Sequence, residues 1–527
     1  MPPETSDDLL LAIDCGTQSV RALLFDPQGE LHARALQPLV YERPQAGWCE
    51  IAPQACWEAV AAACRALWQQ APRLRPRVRA VVLTTQRGTA LALDERLQPL
   101  RAAIAWPDER RTPVEGRLSW HWSLAFALLG LGDTIRGFRE QAEANWIARH
   151  EPQVWARTHK FVLLSAYLNL RLSGRLVDAV GSQVGYLPFD FRRGGWAAAG
   201  DWKWECLPLT ASMLPELAAG ASVIGTVVAA AAEDTGIPAG LPVVAGAADK
   251  ACEVLGAGCL APQTACISYG TTATIATCTP RYVEPRPLVP PYPAAVPGHY
   301  LTELQLPRGY WLARWFAEQF APDECRRAAE LGCAAEALLE PLLEQTPALA
   351  DGLVLLPTWS PGIREPGPEA RGAVIGWHAG HGRAHLYRAI VEGVAFAMRE
   401  GRERIERRSG TPVTALRVAG GGSRSDAAMQ VTADVLGLPA ERPALPEASG
   451  LGAAMLASVA LGLHADAAAA VRAMARVGRR FEPDAARAAR YDALYRRVWQ
   501  PLYPRLRPLL RALRGVVQAS PGPGSRR

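Results

Sequence analysis

Two short turns, each a glycine followed by a threonine, have the composition of phosphate-binding loops. Gly16-Thr17 follows an apolar run near the N-terminus, and Gly270-Thr271 follows another in the middle of the chain. A phosphate needs backbone N–H groups directed at it, a glycine lets the chain come close, and the threonine hydroxyl can donate one more hydrogen bond. Each pair alone is more often a simple hairpin turn. Because there are two of them, the sequence favours phosphate binding by both.

Two aspartates stand where predicted strands end. Asp14 ends the apolar run 9–13, and Asp249 lies between the apolar run 241–248 and the helix-like run 251–255. Ligands of α/β folds bind at the C-terminal ends of strands, so both carboxylates are candidates for chemistry. The competing interpretations are a turn-forming residue for Asp14 and a helix N-cap for Asp249.

Three adjacent glycines at 420–422 separate a predicted strand from a predicted helix. Such a run is costly for folding unless something must approach the backbone, and a phosphate or a planar base at a helix N-terminus is a good candidate. Ser425 or Asp426 is expected to cap that helix. No Gly-Lys-Ser/Thr follows, so this is not a Walker A loop, and a surface turn is the alternative.

The elements that must hold these residues alternate between strands and helices. Alternating or continuous apolar runs predict strands, and apolar spacing near 3.6 predicts helices. The predicted strands are 9–13, 20–24, 30–37, 81–84, 243–245, 265–269 and 273–276, and the predicted helices include 56–69 and 145–149. This alternation indicates an α/β fold with a mixed sheet.

The chain of 527 residues is too long for one core, which stops growing near roughly 250–300 residues. The order strand, Gly-Thr turn, strand occurs at the N-terminus and again after residue 264. We therefore expect two domains, 8–260 and 261–515. Residues 516–527 end in a Pro/Gly/Ser stretch and are expected to form a disordered tail.

Composition excludes several classes of function. The net charge of +6 is small for 527 residues, and we identify no nucleic-acid-binding arginine cluster interleaved with aromatic residues, so nucleic acid is not an expected partner. The most apolar stretch, 124–131, is far shorter than the roughly 20 residues of a membrane span, and the N-terminus does not have the pattern of a signal peptide. The eleven cysteines form no C-x-x-C pair. These features predict a cytoplasmic protein without a membrane partner.

Several motifs, taken in order, resemble those of the FGGY family of carbohydrate kinases, which includes glycerol kinase and xylulokinase. The resemblance covers about residues 8 to 510. The motifs are Asp14-x-Gly16-Thr17-x-Ser19-x-Arg21, Gly47-Trp48-x-Glu50, Trp106-x-Asp108-x-Arg110, Gly246-x-x-Asp249, Arg371-Gly372-x-x-x-Gly376 with His385-Leu386, and Gly420-Gly421-Gly422 with Glu447-Ala448-x-x-Leu451-Gly452-Ala453.

The resemblance implies an ATP-dependent phosphotransferase with an alcohol group as acceptor. Its fold would be a two-domain actin-like ATPase (ribonuclease-H-like) fold with ATP, Mg²⁺ and a small sugar or polyol in the interdomain cleft. By matched position, Asp249 is the catalytic base, and Asp14 and Asp249 hold the metal. The residues implied to bind the nucleotide are Gly16, Thr17, Gln18, Gly270, Thr271, Gly309, Gly421 and Ser425.

The same resemblance assigns the acceptor site to Gln86, Arg87, Trp106, Asp108 and Asp249. Gly88 follows, where glycerol kinases carry a glutamate and xylulokinases a histidine. The missing side chain favours a pentulose or a polyol of about five carbons as the acceptor. Two alternatives stay open: glycerol as the acceptor, and a gap that Gln86 or Asp108 fills. A homodimer is also left open.

Two other classes of function are carried forward. One is a non-catalytic sensor of the same fold that binds nucleotide or sugar, which the intact Asp14, Thr17, Asp249 and Thr271 disfavour. The other is an actin-like ATPase that acts on a protein partner. ATP turnover measured with and without a sugar panel separates them.

One histidine cluster has spacing typical of a metal site. His378, His381 and His385 recur at three and four residues, but Gly380 and Gly382 break any helix there, and no cysteine or carboxylate is near in the sequence. Structural zinc needs four well-placed ligands. We therefore expect no metal here, and we expect His385 to begin a helix. Trp311 and Trp315, at helical spacing, are expected in the core.

Overall fold

The computed structural model describes residues 8–287, 289–362 and 366–519. They fold as two compact units. The first comprises Met1–Leu260, Cys278–Leu301 and Glu447–Arg476, and the second comprises Ala261–Thr277, Thr302–Pro446 and Val477–Arg527.

The strands are short and most of them are buried. In chain order they are β1 Leu9–Cys15, β2 Ser19–Phe25, β3 Leu31–Pro38, β4 Glu50–Ile51, β5 Val78–Thr85, β6 Ala90–Leu93, β7 Ala103–Ile104, β8 Lys160–Leu163, β9 Val177–Ala179, β10 Phe189–Asp190, β11 Gly195–Trp196, β12 Glu216–Ala218, β13 Val223–Thr226, β14 Pro242–Val244, β15 Thr264–Tyr269, β16 Ala273–Thr279, β17 Tyr292–Pro293, β18 Tyr300–Leu306, β19 Val354–Leu356, β20 Ala373–Ile375, β21 Ala415–Ala419, β22 Ala440–Pro443 and β23 Val477–Phe481.

The helices alternate with these strands. They are α1 Pro53–Gln70, α2 Trp120–Leu128, α3 Gly132–Gln141, α4 Glu143–His150, α5 Pro152–Arg157, α6 Leu164–Ser173, α7 Trp202–Cys206, α8 Ala229–Thr235, α9 Asp249–Gly256, α10 Trp311–Phe320, α11 Pro322–Leu331, α12 Glu340–Gln345, α13 Arg383–Ser409, α14 Asp426–Leu436, α15 Ala448–Ala460, α16 Ala467–Met474, α17 Ala485–Leu494 and α18 Gln500–Ala519. The described helices include none that is long and apolar enough to cross a membrane.

The main sheet of the first unit has the order β13-β14-β5-β1-β2-β3. β1 pairs antiparallel with β2 and parallel with β5, which in turn pairs parallel with β14. Every residue of β1 is buried, as its continuous apolar run requires. The parallel strands β1, β5 and β14 therefore end at the same edge of the sheet.

The main sheet of the second unit repeats this arrangement, with the order β18-β16-β15-β21-β22-β23. β15 pairs antiparallel with β16 across the Gly270-Thr271 turn and parallel with β21. The repeated strand–turn–strand order predicted from the sequence is confirmed. So are the helices predicted at 56–69 and 145–149, which lie within α1 and α4.

The units differ from the two continuous domains that we predicted. The opening segment of the first unit ends at Leu260, and segments 278–301 and 447–476 also belong to that unit. Segment 447–476 contains α15, which packs against α9 at a crossing of two glycines. A Cβ on Gly452 would lie 1.9 Å from the carbonyl oxygen of Cys252, and one on Gly256 would lie 1.9 Å from that of Ala448.

The predicted tail begins later than expected. α18 continues through residues 516–519, because apolar residues at helical spacing extend past Gly515. The remaining tail residues, 520–527, lie outside the described part of the chain.

Candidate active site

The parallel strands of the first unit bring three predicted site residues to one edge. Asp14 lies beside Thr84 in the β1–β5 register, and the backbone N–H of Gln86 donates to the carbonyl of Cys15 over 3.0 Å. A bridge joins Thr85 to Ala248, and α9 begins at Asp249, directly after it. The C-terminal edge of a parallel sheet is where α/β folds bind ligands.

Asp14 is a buried carboxylate with one basic neighbour. Its Oδ2 accepts a hydrogen bond from Arg21 on the adjacent strand over 3.0 Å, and the residue is 2% exposed. Burial raises the pKa of Asp14 to about 6, the Arg21 guanidinium opposes that rise, and Asp249 adds to it. The site therefore holds negative charge that one half-exposed arginine only partly offsets.

Asp249 is the first residue of α9 and not its N-cap, which is Ala248. Its Oδ1 accepts from the backbone N–H of Lys250 over 2.7 Å. Burial raises the pKa of Asp249; Lys250 and Arg87 lower it, and Glu253 raises it. A carboxylate whose affinity for protons is raised in this way is suited to accept one during a reaction.

Gln86 and Arg87 are held by tyrosines. The Gln86 amide nitrogen donates to the Tyr41 hydroxyl over 2.7 Å, and the Arg87 guanidinium lies 4.3 Å from the centroid of the Tyr292 ring. Gln86 is 4% exposed, and its Oε1 has no hydrogen-bond partner among the described residues. A buried acceptor without a partner is costly, so a donor from a ligand fits this position.

Trp106 connects the predicted acceptor site to the first Gly-Thr turn. Its indole N–H donates to the Thr17 hydroxyl oxygen over 2.9 Å, and 39% of Trp106 is exposed. The residue predicted to contact the acceptor and the residue predicted to contact phosphate are therefore in direct contact.

Asp108 has a different environment from the one the sequence led us to expect. Its Oδ1 accepts from the Arg110 backbone and Nε, and its Oδ2 accepts from Arg110 Nη2 and the Cys49 backbone. Arg110 also pairs with Glu50 over 2.7 Å and stacks on Trp48 at 3.9 Å. Each Asp108 oxygen already accepts two hydrogen bonds, so the carboxylate has no lone pair left to bind a substrate hydroxyl. Its motif and the Gly47-Trp48-x-Glu50 motif form one buried ion-pair core.

The gap expected beside Gly88 is small and is lined by other residues. Gly88 has φ +73°, which other residues rarely adopt, so backbone geometry itself selects glycine there. A cavity of about 10 Å³ adjoins it, room for roughly one water molecule. Its polar lining comes from Glu143, at the start of α4, and Tyr186, whose hydroxyl donates to Gln141 over 2.8 Å.

Glu143 was not among the residues predicted from the sequence. Burial raises its pKa to about 7, Asp108 raises it further, and Arg110 lowers it. It is 55 residues from Gly88 in the chain, and a glutamate in the first turn of a helix is common without any ligand. No feature of the local sequence therefore marked Glu143 as a candidate site residue.

In the second unit, Gly270 and Thr271 form the turn between β15 and β16, and Thr271 is exposed. β21 leads into Gly420, which has φ +84° and lies against the Tyr269 backbone. Ser425 caps α14 by accepting from the Ala428 backbone over 3.0 Å, so the predicted cap is confirmed.

Two groups can be distinguished among Gly16 of the first unit and Gly270, Gly309, Gly421 and Gly422 of the second. A Cβ on Gly422 would lie 2.5 Å from the Tyr310 ring, and one on Gly309 would lie 2.4 Å from the Ala273 side chain, so packing explains both. Gly16, Gly270 and Gly421 have ordinary φ values and would have no contact under 3.4 Å. Glycine is unfavourable where no steric reason exists, so the open backbone at these three positions fits the approach of a ligand.

The histidine cluster includes a carboxylate that the sequence did not place there. Asp351 Oδ2 lies 3.4 Å from Nε2 of His378 and 4.0 Å from that of His381. However, Nδ1 of His378 accepts from the Gly380 backbone, and Nδ1 of His381 accepts from the His378 backbone. Each neutral ring then carries its proton on Nε2, so the cluster stabilises the turn and lacks a free nitrogen lone pair for a metal.

His385 lies in the first turn of α13, where it accepts from the Gly382 backbone, and Trp311 and Trp315 pack against the core. These three predictions are confirmed.

Comparison with known proteins gives the same family along most of the chain. The model of the FGGY family of carbohydrate kinases matches over residues 9–256 for its N-terminal domain and 265–461 for its C-terminal domain. A glycerol kinase of Dechloromonas aromatica is 30% identical over 504 residues, 92% of this chain and 95% of that protein. A xylulose kinase of Lactococcus lactis is 26% identical over 498 residues, 94% and 96% of the two chains. The crystal structure of xylulose kinase from Rhodospirillum rubrum superposes with a TM-score of 0.77 at 28% identity, over 95% of this chain and all of that one.

Proposed function

Because the chain belongs to the FGGY family of carbohydrate kinases, ATP-dependent phosphotransferases of two-domain actin-like fold that act on alcohol groups, we propose that it transfers the γ-phosphate of ATP to a pentulose or a polyol of about five carbons. The observation that carries this proposal is the edge of the first unit's sheet. There Asp14 lies at the end of β1, and Arg87 and Asp249 follow the ends of the parallel strands β5 and β14.

The nucleotide contacts proposed from the sequence are supported unequally. Gly16, Gly270 and Gly421 have the open backbone that a phosphate or a base needs, and Thr17, Gln18 and Thr271 stand beside two of them. Ser425 is the cap of α14, but the backbone N–H groups of Ala427 and Ala428 already donate to Glu340 and to Ser425, so this helix N-terminus has less support as an anion site. Packing on Ala273 explains Gly309, so that residue has less support.

A magnesium ion fits the acids of the first unit. Asp14 is buried, Asp249 raises its pKa, and oxygen ligands of this kind suit Mg²⁺. We propose that Asp14 and Asp249 hold the ion. When bound, it would neutralise charge on the phosphate oxygens.

The chemical step assigned to this chain is deprotonation of the acceptor. Asp249 accepts the proton of the hydroxyl as its oxygen bonds to the γ-phosphorus and the bond to ADP breaks. Burial raises the pKa of Asp249 and so makes it a better base than an exposed carboxylate, while Lys250 and Arg87 oppose that rise. Gln86 Oε1 is available to accept a hydrogen bond from another hydroxyl of the same substrate.

Glu143 is proposed to recognise the far end of the acceptor. It and Tyr186 supply the polar groups of the cavity beside Gly88, where related kinases have a larger side chain. The cavity has room for about one hydroxyl, and we propose that a five-carbon acceptor supplies it and that the shorter glycerol does not.

A screen of acceptors tests the proposal. Five-carbon polyols and ketoses are expected to give a kcat/KM at least about tenfold above that of glycerol, the magnitude of one well-placed hydrogen bond. ADP release is the measurement, with an acceptor-free reaction as control. Acceptor-independent turnover would assign the chain to the actin-like ATPases, binding without turnover would make it a sensor, and a highest kcat/KM for glycerol would contradict the acceptor class.

Glu143→Gln is expected to raise KM for the preferred acceptor about tenfold and to leave KM for ATP unchanged, since hydrogen bonds to a charged group contribute about 1.5–3 kcal/mol. The pKa of Glu143 is about 7, so its anionic fraction increases between pH 6 and 8. The wild-type KM for the acceptor should therefore fall over that range, and the variant should lose this dependence. Glu140→Gln, outside the cavity, is the control, and an unchanged KM and pH profile would show that Glu143 does not contact the acceptor.

A further inference from the structure

The C-terminal helix α18 has an apolar face whose side chains are largely exposed among the described residues. Leu509, Leu513, Val516 and Val517 are exposed by 67%, 51%, 69% and 60%. Together with Ala512 they recur at i, i+3, i+4, i+7 and i+8, which places them on one side of a helix. Single exposed apolar residues are ordinary, but a continuous stripe on one helix indicates an interaction surface.

The helix leaves the body of the second unit near its middle. Tyr503 and Arg507 anchor it, since each bonds to the buried Glu369, at 2.9 and 2.6 Å. Leu510 is the last buried residue, and no side chain described from 511 to 517 is buried. A helical segment of this length is only marginally stable in water by itself, so contacts between the apolar stripe and a binding surface would stabilise it.

The charged residues of this region are all basic. Residues 493–527 contain eight arginines and no aspartate or glutamate. The whole chain has 57 basic and 51 acidic residues, so the first 492 residues hold 49 basic against 51 acidic ones. The net positive charge of the protein therefore resides in its last 35 residues, beside the exposed apolar stripe.

We infer that α18 binds an anionic phospholipid surface and lies in its interfacial plane. A basic helix with one apolar face is the pattern of in-plane membrane helices, because the acyl region takes the apolar face and the headgroups pair with the arginines. A second copy of this chain would supply an apolar face but would bring eight further arginines with it. The prediction of no membrane partner rested on the absence of a spanning segment, and a helix that lies in the interface needs none.

Co-sedimentation of the full-length protein with vesicles tests this. We expect binding to vesicles of phosphatidylcholine with phosphatidylglycerol, little binding to phosphatidylcholine alone, and release by high salt. The variant Leu513→Gln/Val516→Gln/Val517→Gln and the variant Arg505→Gln/Arg511→Gln should each weaken the partition at least about tenfold. Both should keep wild-type ATP turnover with sugar, which shows that they fold.

Leu124→Gln/Leu128→Gln is the matched control, because it removes two exposed leucines (52% and 79%) from α2, whose segment 118–131 carries no charged residue. It should bind vesicles as the wild type does. Absence of binding, equal binding to both lipids, or loss of binding in the α2 variant would overturn the inference. Concentration-dependent self-association in sedimentation velocity that only the α18 apolar variant abolishes would assign the stripe to a second copy.

Discussion

Asp249→Asn is expected to lower kcat by about 10²–10⁴-fold, the usual contribution of a positioned general base. The amide keeps the shape of the side chain and can still accept from the Lys250 backbone, but it cannot take the proton of the acceptor hydroxyl. Nucleotide affinity without magnesium should change little. Stability should not fall either: burial raises the pKa of Asp249, so its charged form is less favourable in the folded protein than in the unfolded chain, and the substitution removes that charge.

The matched control is Asp178→Asn. Asp178 is also buried, and its pKa is raised to about 6 by burial, but it lies on β9 and accepts from Gln183 and the Ala179 backbone. That substitution should affect the free energy of unfolding more than turnover. Single-turnover rates and chemical denaturation measure the two effects separately. Turnover of Asp249→Asn within a few-fold of the wild type would remove this residue from the role of base.

The features predicted well from the sequence are those fixed by local physical chemistry. A continuous apolar run produced β1, alternation produced β2, and a serine before apolar residues at helical spacing capped α14. Asp14 and Asp249 could be placed at the strand-end edge because that placement needs only strand direction and order. The two Gly-Thr turns could be placed at strand ends for the same reason.

The features that were missed depend on contacts between distant segments. Asp108 satisfies all its bonding capacity with Arg110 and the Cys49 backbone, which a motif alone cannot reveal. Glu143 lines the cavity beside Gly88 because α4 packs there. Asp351 lies close to His378 although the two residues are distant in the chain. Residues 447–476 return to the first unit because α15 packs against α9 and against β1 and β5 of the main sheet, which are distant in the chain.

The crossing of α15 on α9 is expected to be sensitive to one methyl group. Gly452→Ala should lower the free energy of unfolding by about 1–3 kcal/mol or more, because the new Cβ would lie 1.9 Å from the Cys252 carbonyl oxygen and 2.9 Å from the Gly256 nitrogen. Both are backbone atoms of α9, which cannot rotate away as a side chain can. Relief therefore requires α9 and α15 to move apart, and a shift of α9 would displace Asp249, its first residue.

The same substitution should therefore also lower kcat, by up to about 100-fold if Asp249 moves by roughly 1 Å. Gly132→Ala is the matched control: its Cβ would meet nothing within 4 Å at the start of α3, so it should leave kcat unchanged and stability equal or slightly higher. Urea denaturation and steady-state turnover at saturating substrate measure the two effects. A Gly452→Ala protein that unfolds at the wild-type midpoint with wild-type kcat would show that the crossing is looser than its backbone distances indicate. A loss of stability without a loss of kcat would show that α9 yields at its far end and holds Asp249 in place.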